Sequence, residues 1–106
     1  MIGDKPWFIE FYSPGCPHCQ DLQPAWTELH LKHKEELNVA KVDCTTFADI
    51  KLCNLFTIQS FPTLAFLPAH SNTYHKYDRP SRELAELEAF ALEGGWQEAR
   101  ELEIGA

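Results

Sequence analysis

The alternation of short apolar runs with helical segments constrains the fold of this chain most. An aromatic and apolar run at Trp7–Tyr12 ends at Ser13-Pro14-Gly15, which is typical of a buried strand followed by a turn. Helical spacing then extends from Pro17 to about Leu37, and Pro24 inside this segment should kink the helix. The remaining predicted elements are a strand at Val39–Val42, a short helix between Phe47 and Phe56, strands at Thr63–Leu67 and Thr73–Tyr77, and a helix at Arg82–Glu93.

The predicted order β-α-β-α-β-β-α indicates an α/β domain with a mixed sheet flanked by helices. Strands separated by helices favour parallel pairing, whereas the last two strands predict an antiparallel hairpin with the final strand at the edge. The length of 106 residues fits one domain. Because Gly94-Gly95 ends the last helix, we expect the domain to cover residues 1–95 and residues 96–106 to form an acidic tail or linker.

The charge of the chain disfavours some classes of partner. The formal net charge is −7, and acidic residues are concentrated toward the C-terminus. Nucleic acids and anionic membranes are polyanions, so we expect neither nucleic-acid binding nor direct membrane contact. The sequence contains no apolar run of the ~20 residues that a membrane-spanning helix needs. No apolar leader opens the chain, which leaves open either a cytosolic protein or targeting segments absent from this sequence.

The motif Cys16-Pro17-His18-Cys19 follows a predicted strand and opens a predicted helix. Cys16 therefore lies at a helix N-terminus, where free N–H groups and the helix dipole stabilise a thiolate. A protonated His18 would stabilise it further. Cysteines in such motifs can have pKa values of roughly 3.5–7.5 instead of about 8.5, and the thiolate is the form that attacks disulfides. Cys19, one turn further into the helix, would resolve the mixed disulfide.

Two other interpretations of this motif stay open at this point. Cys16 and Cys19 could be half of a zinc site, although Cys44 and Cys53 are separated by eight residues, which is not a usual second half-site. They could also form a purely structural disulfide. The even number of cysteines fits two pairs, which favours an oxidising compartment. We expect no cofactor and no bound metal.

Four segments resemble the catalytic domains of the protein disulfide isomerase family. They are Phe8-Ile9-Glu10-Phe11-Tyr12-Ser13-Pro14-Gly15-Cys16-Pro17-His18-Cys19, then Leu22 with Pro24-Ala25-Trp26, Ala40-Lys41-Val42-Asp43-Cys44-Thr45, and Phe61-Pro62-Thr63-Leu64. The resemblance extends from about Trp7 to Phe90. It implies a thioredoxin-like fold and disulfide exchange with cysteine-containing polypeptide substrates. It also implies an upstream redox partner and a location in the endoplasmic reticulum lumen or another secretory compartment.

The resemblance assigns roles to three positions outside the motif. Glu10 matches a buried acid beneath the resolving cysteine, which would accept its proton; the alternative is an outward-facing acid at a strand edge. Lys41 matches the lysine paired with that acid, and its alternative is a solvated strand lysine. Pro62 matches a proline preceded by a cis peptide bond, which would bring the backbone of Phe61 beside the cysteines to bind a substrate strand. The alternative is a trans proline that opens a strand.

Two further matches concern Arg82 and the second cysteine pair. Alignment from the following helix matches Arg82 to a family arginine that approaches the resolving cysteine, whereas counting from Tyr77 selects Ser81; a surface arginine at a helix start is the alternative. The family comparison also implies a structural disulfide between Cys44 and Cys53, with two free buried thiols as the alternative.

The chain departs from the family pattern in three ways. Gly15 replaces a tryptophan before the first cysteine, which changes the surface available to substrates. Pro17 replaces a glycine, as in strongly oxidising periplasmic relatives, and suggests a domain more oxidising than a thioredoxin. Only six residues precede Trp7, so the usual first strand and helix of the fold are expected to be missing, as in a fragment or a minimal variant.

The sequence thus supports an enzyme that makes, breaks or reshuffles protein disulfides. Two alternatives with the same fold are a client-binding module that forms mixed disulfides without turnover and a thioredoxin-like reductase.

Overall fold

The structure is a computed structural model that describes residues 4–105. All three predicted helices and all four predicted strands are present, and a further strand follows them. The elements are β1 (Trp7–Tyr12), α1 (Pro17–His33), β2 (Asn38–Asp43), α2 (Ile50–Leu55), β3 (Thr63–Leu67), β4 (Thr73–Lys76), α3 (Leu84–Leu92), a 3-10 helix (Gly95–Glu98) and β5 (Glu101–Glu103). Helix α1 continues through Pro24 and ends four residues before the predicted Leu37.

The strands form one mixed sheet in the order β2-β1-β3-β4-β5. Strand β1 is parallel to β2, and the pairs β1–β3, β3–β4 and β4–β5 are antiparallel. The predicted mixed sheet is therefore confirmed. Strand β1 lies in the interior of the sheet, between β2 and β3. Its residues Phe8 to Phe11 are buried, as a strand covered by helices on both faces requires.

The two faces of the sheet support two separate apolar clusters. Successive side chains of a strand point to opposite faces. Phe8 therefore packs with α1 and α3, against Trp26 and Phe90 among others. Ile9 and Phe11 belong to the cluster beside α2. By the same alternation, Glu10 shares the face of Phe8 and lies under α1, the helix that begins beside Cys16.

The structure differs from the sequence prediction after Gly95. Strand β4 was expected at the edge of the sheet, but it lies between β3 and β5. The segment expected as an acidic tail folds back instead: Trp96 stacks on Phe66 with ring centroids 5.1 Å apart, and Leu102 packs on the cluster beside α2. Burial of these two apolar side chains explains why the described part of residues 96–106 joins the domain.

Polar contacts join the C-terminal end of α1 to the middle of α3. The Nε2 atom of His33 lies 2.6 Å from Oε2 of Glu88, and Lys32 lies 3.3 Å from the same oxygen. The His33 hydrogen bond is the main reason that the pKa of Glu88 is lowered. Within residues 4–105, no helix combines the length and apolar character needed to cross a bilayer.

Candidate functional site

Cys16 occupies the N-cap of α1, directly after the turn that ends β1. Its backbone is extended, Pro17 fills the first helical position, and the backbone N–H of Cys19 donates to the Cys16 sulfur at 3.4 Å. A proline is tolerated there because its missing N–H has no helical partner in any case. The sequence pattern strand, turn, Cys16-Pro17 thus positions a sulfur at the positive end of a helix.

The two thiols of the motif have opposite electrostatic surroundings. Hydrogen bonds from the Cys19 side chain and backbone, followed by the backbone N–H of His18, lower the pKa of Cys16, whose side chain is partly exposed. Cys19 is only 1% exposed, and this burial is the main reason that its pKa is raised to about 11. Both cysteines are free thiols. Cys16 is therefore the accessible, more acidic thiol and Cys19 the protected one.

The loop before β3 brings a backbone acceptor to Cys16. The peptide bond between Phe61 and Pro62 is cis. The Cys16 thiol lies 3.7 Å from the carbonyl oxygen of Phe61, whose side chain is 38% exposed. The fold thus brings Phe61 next to Cys16, although the two residues are 45 positions apart in sequence.

Glu10 is completely buried beneath α1. Burial raises the pKa of its carboxyl group, while a hydrogen bond from Gln23 and the charge of Lys41 act in the opposite direction. Lys41 is the register partner of Glu10 on β2, but its ammonium donates to Oε1 of Gln23 at 3.0 Å. The expected association of Glu10 with Lys41 is therefore made through a third residue.

That third residue, Gln23, was not identified from the sequence. Its Nε2 lies 3.1 and 3.0 Å from the two carboxylate oxygens of Glu10 and donates to the Cys19 carbonyl at 3.0 Å. The available signal was its position four residues after Cys19, which places both on one side of the helix. A cavity of about 130 Å³ is lined by Cys19, Gln23, Lys41 and the Ser13-Pro14 turn, among others.

His18 and Arg82 meet on the surface beside the motif. Both side chains are exposed, and they line one small groove together with Asp21 and Leu22. The charge of Arg82 makes a minor contribution to lowering the pKa of Cys16. Arg82 thus belongs to the surroundings of the motif, next to His18.

Gly15 and Pro17 flank Cys16 on the exposed surface. A Cβ atom added at Gly15 would meet no atom within 4 Å, so a larger side chain could fit there. The glycine therefore leaves open a surface next to the Cys16 sulfur that a side chain would otherwise cover.

The second cysteine pair is separate from the first. Cys44, directly after β2, and Cys53, in α2, are buried and joined by a disulfide. The thiols that a zinc site at Cys16 and Cys19 would need are thus bonded to each other. Among residues 4–105, no three His, Cys, Asp or Glu side chains are grouped as metal ligands.

Comparison with known proteins places this architecture in a family. The family model described as Thioredoxin matches residues 2–93. Protein disulfide-isomerase 1 of Caenorhabditis elegans is 42% identical over 90 residues, which cover 81% of this chain and 17% of that protein. A thioredoxin domain-containing protein of Theileria parva is 37% identical over 86 residues, covering 81% of this chain and 37% of that protein. The chain thus spans 37% or less of the length of these two relatives.

Solved structures agree with the sequence comparisons. The J-Trx1 fragment of ERdj5 superposes with a TM-score of 0.73 and 34% identity, over 85% of this chain and 41% of that one. The thioredoxin-like fold and the resemblance to disulfide-isomerase domains are therefore confirmed. With the family pattern matched from residue 2 to residue 93, this chain belongs to the thioredoxin family.

Proposed function

We propose that the chain is a thiol–disulfide oxidoreductase that acts on disulfides of polypeptides through Cys16 and Cys19. The observation that carries the proposal is the division between the two thiols. One is accessible with a lowered pKa, and the other is buried one turn away with a pKa of about 11. A purely structural pair would not need this asymmetry, whereas a nucleophile and a resolving thiol do.

The reaction in the reducing direction has two steps. The Cys16 thiolate attacks one sulfur of a substrate disulfide, forms a Cys16–substrate disulfide and releases the other substrate sulfur as a thiolate. Cys19 then loses its proton to the Glu10 carboxylate and attacks the Cys16 sulfur, which forms the Cys16–Cys19 disulfide and releases the second substrate thiolate. Two electrons pass from the dithiol to the substrate, and the reverse sequence oxidises a substrate dithiol.

Glu10 supports the second step because it is the buried acid beneath the helix that bears Cys19. A buried carboxyl with a raised pKa is well matched to taking and returning a thiol proton near neutral pH. The cavity beside Cys19, Gln23 and Lys41 is large enough for water molecules, which would return the proton to solvent.

Substrate binding is assigned to the surface around Cys16. The Phe61 backbone next to Cys16 would hold an extended substrate segment by main-chain hydrogen bonds, with Pro62 fixing that loop. Gly15 and Pro17 form the adjoining exposed surface. Arg82, and His18 when it is protonated, would supply positive charge near the motif.

We assign the domain to disulfide formation and isomerisation in a secretory compartment such as the endoplasmic reticulum lumen. The Cys44–Cys53 disulfide supports an oxidising environment, since such bonds persist there and are rare in the cytosol. The 42% sequence identity to Protein disulfide-isomerase 1 of Caenorhabditis elegans supports isomerase-type activity. An upstream redox partner would reset the dithiol after each cycle.

Turnover assays of the purified chain test this function. We expect reduction of insulin and reactivation of scrambled ribonuclease by the wild-type chain, complete loss in Cys16→Ser, and accumulation of mixed disulfides in Cys19→Ser. The double variant Cys44→Ala/Cys53→Ala is the matched control, because it removes two cysteines but leaves the motif intact. Mixed disulfides on Cys16 without turnover in the wild type would contradict an enzyme and favour a client-binding module.

A further inference from the structure

The half-buried side-chain amide of Gln23 makes hydrogen bonds in two directions. Its Nε2 group contacts the Glu10 carboxylate at 3.0 and 3.1 Å and donates to the Cys19 carbonyl at 3.0 Å. Its Oε1 accepts from the ammonium of Lys41 at 3.0 Å. A side-chain amide has two N–H donors and one carbonyl oxygen, so all three of its polar functions are engaged.

These partners fix the orientation of the amide. If the Gln23 amide were flipped, its oxygen would face the Glu10 carboxylate and its N–H groups would face the ammonium of Lys41. Both contacts would be repulsive, so the arrangement is determined by charge. In the observed orientation, Lys41 polarises the amide and thereby strengthens the hydrogen bond to the carboxylate.

We propose that Gln23 is a positioning residue for proton transfer between Cys19 and Glu10. Its amide accepts a hydrogen bond from the Lys41 ammonium and donates to the buried Glu10 carboxylate, so that the cation stabilises the carboxylate through the amide. The same amide donates to the Cys19 carbonyl and so holds the carboxylate next to the helical turn of Cys19. This inference rests on the proposed function, because it assigns a step of that reaction. It goes beyond the roles of Glu10 and Lys41 by making their connection depend on a third side chain.

The consequence concerns the charge state of Glu10. Only the carboxylate form can accept the Cys19 proton, and burial disfavours that form. Charged or titratable groups coupled to Glu10 are Lys41 on β2, Cys19 on α1 and Tyr12 on its own strand. Its register partner on β3 is the apolar Leu64. Lys41 is the cation of this group, and Gln23 is the side chain that contacts it and Glu10 at once.

The substitution Gln23→Met tests the proposal, because it keeps the length of the side chain but removes its donor and acceptor. We expect the Glu10 titration in the reduced full chain, followed by carbon-13 NMR of its carboxyl group, to move upward by about one pH unit or more. The matched control is Gln20→Met on the same helix, because the Gln20 amide donates to the Pro14 carbonyl instead. The control should leave the Glu10 titration in place.

A kinetic measurement separates positioning from a structural role. The Cys16 mixed disulfide with glutathione is prepared, and its intramolecular resolution by Cys19 is timed across pH. We expect Gln23→Met to be about 10-fold slower at neutral pH, with recovery toward the wild-type rate at higher pH, since one pH unit in the titration changes the carboxylate fraction up to tenfold. In a Glu10→Gln background, Gln23→Met should cause no further slowing.

An unchanged Glu10 titration, an unchanged pH midpoint of resolution, or additive slowing in the Glu10→Gln background would each overturn the proposal. If Gln23→Met fails to fold, Lys41→Met replaces it, because Lys41 is the exposed member of the contacts Lys41–Gln23–Glu10. We expect the same upward shift of the Glu10 titration, and the absence of a shift would overturn the proposal. Neither measurement needs a protein substrate. Failure of the insulin and ribonuclease assays would therefore reject the proposed function without deciding this test.

Discussion

The backbone N–H of Cys19 donates to the sulfur of Cys16 across 3.4 Å. The resolving residue therefore stabilises the negative charge of the nucleophile while its own thiol stays buried and protonated. The single helical turn between the two cysteines produces both the hydrogen bond to the Cys16 sulfur and the burial of the Cys19 thiol. The two thiols should consequently differ in reactivity over most of the pH range.

Alkylation of the reduced chain should show this difference. Cys16 should react with iodoacetamide at pH values below the ordinary thiol pKa of about 8.5, because hydrogen bonds from Cys19 and His18 lower its pKa. Cys19 should react only as the pH approaches 11. Initial rates at each pH, with the modified residue identified by mass spectrometry, measure both titrations. In urea the two should titrate alike, and equal titration in the folded chain would contradict the assignment of roles.

Glu10→Gln should raise stability and slow the reaction. The folded state holds the Glu10 proton more tightly than the unfolded state, since burial raises its pKa. Folding stability therefore falls as the pH rises from the ordinary carboxyl value through the folded one. The neutral glutamine avoids this loss, and we expect a gain of about 1 kcal/mol at neutral pH. Removal of the proton acceptor should slow resolution by Cys19 at least about 10-fold.

Urea unfolding at several pH values, together with the glutathione resolution assay, checks both effects. The stability gain should shrink below about pH 4, where both chains are uncharged at this position. Glu28→Gln, an exposed substitution of the same type on α1, is the control and should change neither quantity. Destabilisation by Glu10→Gln at neutral pH would show that the carboxylate is a net stabilising group.

Local patterns in the sequence were sufficient for most of the fold. The apolar run of β1, the periodicity of α1 and the turn before Cys16 each encode their element, because burial on one or two faces dictates the spacing of apolar residues. The two cysteines were likewise identified from their place between a strand and a helix.

Features that depend on distant contacts were missed. Gln23 is one polar residue on a helix, and its role arises only because Glu10 and Lys41 lie side by side on neighbouring strands. Strand β5 is three residues long and lies among acidic side chains, so its alternation of Glu101, Leu102 and Glu103 is too short to distinguish it from a tail. Contacts with residues distant in sequence, and not local conformational preference, determine both the role of Gln23 and the formation of β5.

The Cys44–Cys53 disulfide should stabilise the chain without taking part in exchange. It closes a ring across nine positions between the end of β2 and α2. In the loop-entropy treatment a ring of this size contributes roughly 2.5–3 kcal/mol. The double variant Cys44→Ala/Cys53→Ala should lose about this free energy of unfolding in a urea titration, with the rate of Cys16 alkylation unchanged. A large loss of Cys16 reactivity in a fully folded variant would instead make the second pair part of the redox reaction.

Leu102→Asp should destabilise the domain if β5 is a structural strand. Leu102 is paired with Tyr74 and packs on the cluster beside α2, so the substitution would place a charge against apolar side chains. Since Leu102 is only half-buried, we expect a loss of about 1–2 kcal/mol. Detachment of β5 would also uncover the edge of β4, whose free N–H and C=O groups favour pairing between chains.

Thermal unfolding and sedimentation measure the two effects of Leu102→Asp, which are a lower melting temperature and some self-association. Glu103→Ala is the control, because the Glu103 side chain is exposed on the same strand and its removal leaves the apolar contact intact. A free acidic tail would tolerate both substitutions equally. Equal melting temperatures for the two variants would therefore restore the boundary at residue 95, whereas a selective loss in Leu102→Asp would extend the folded domain through β5.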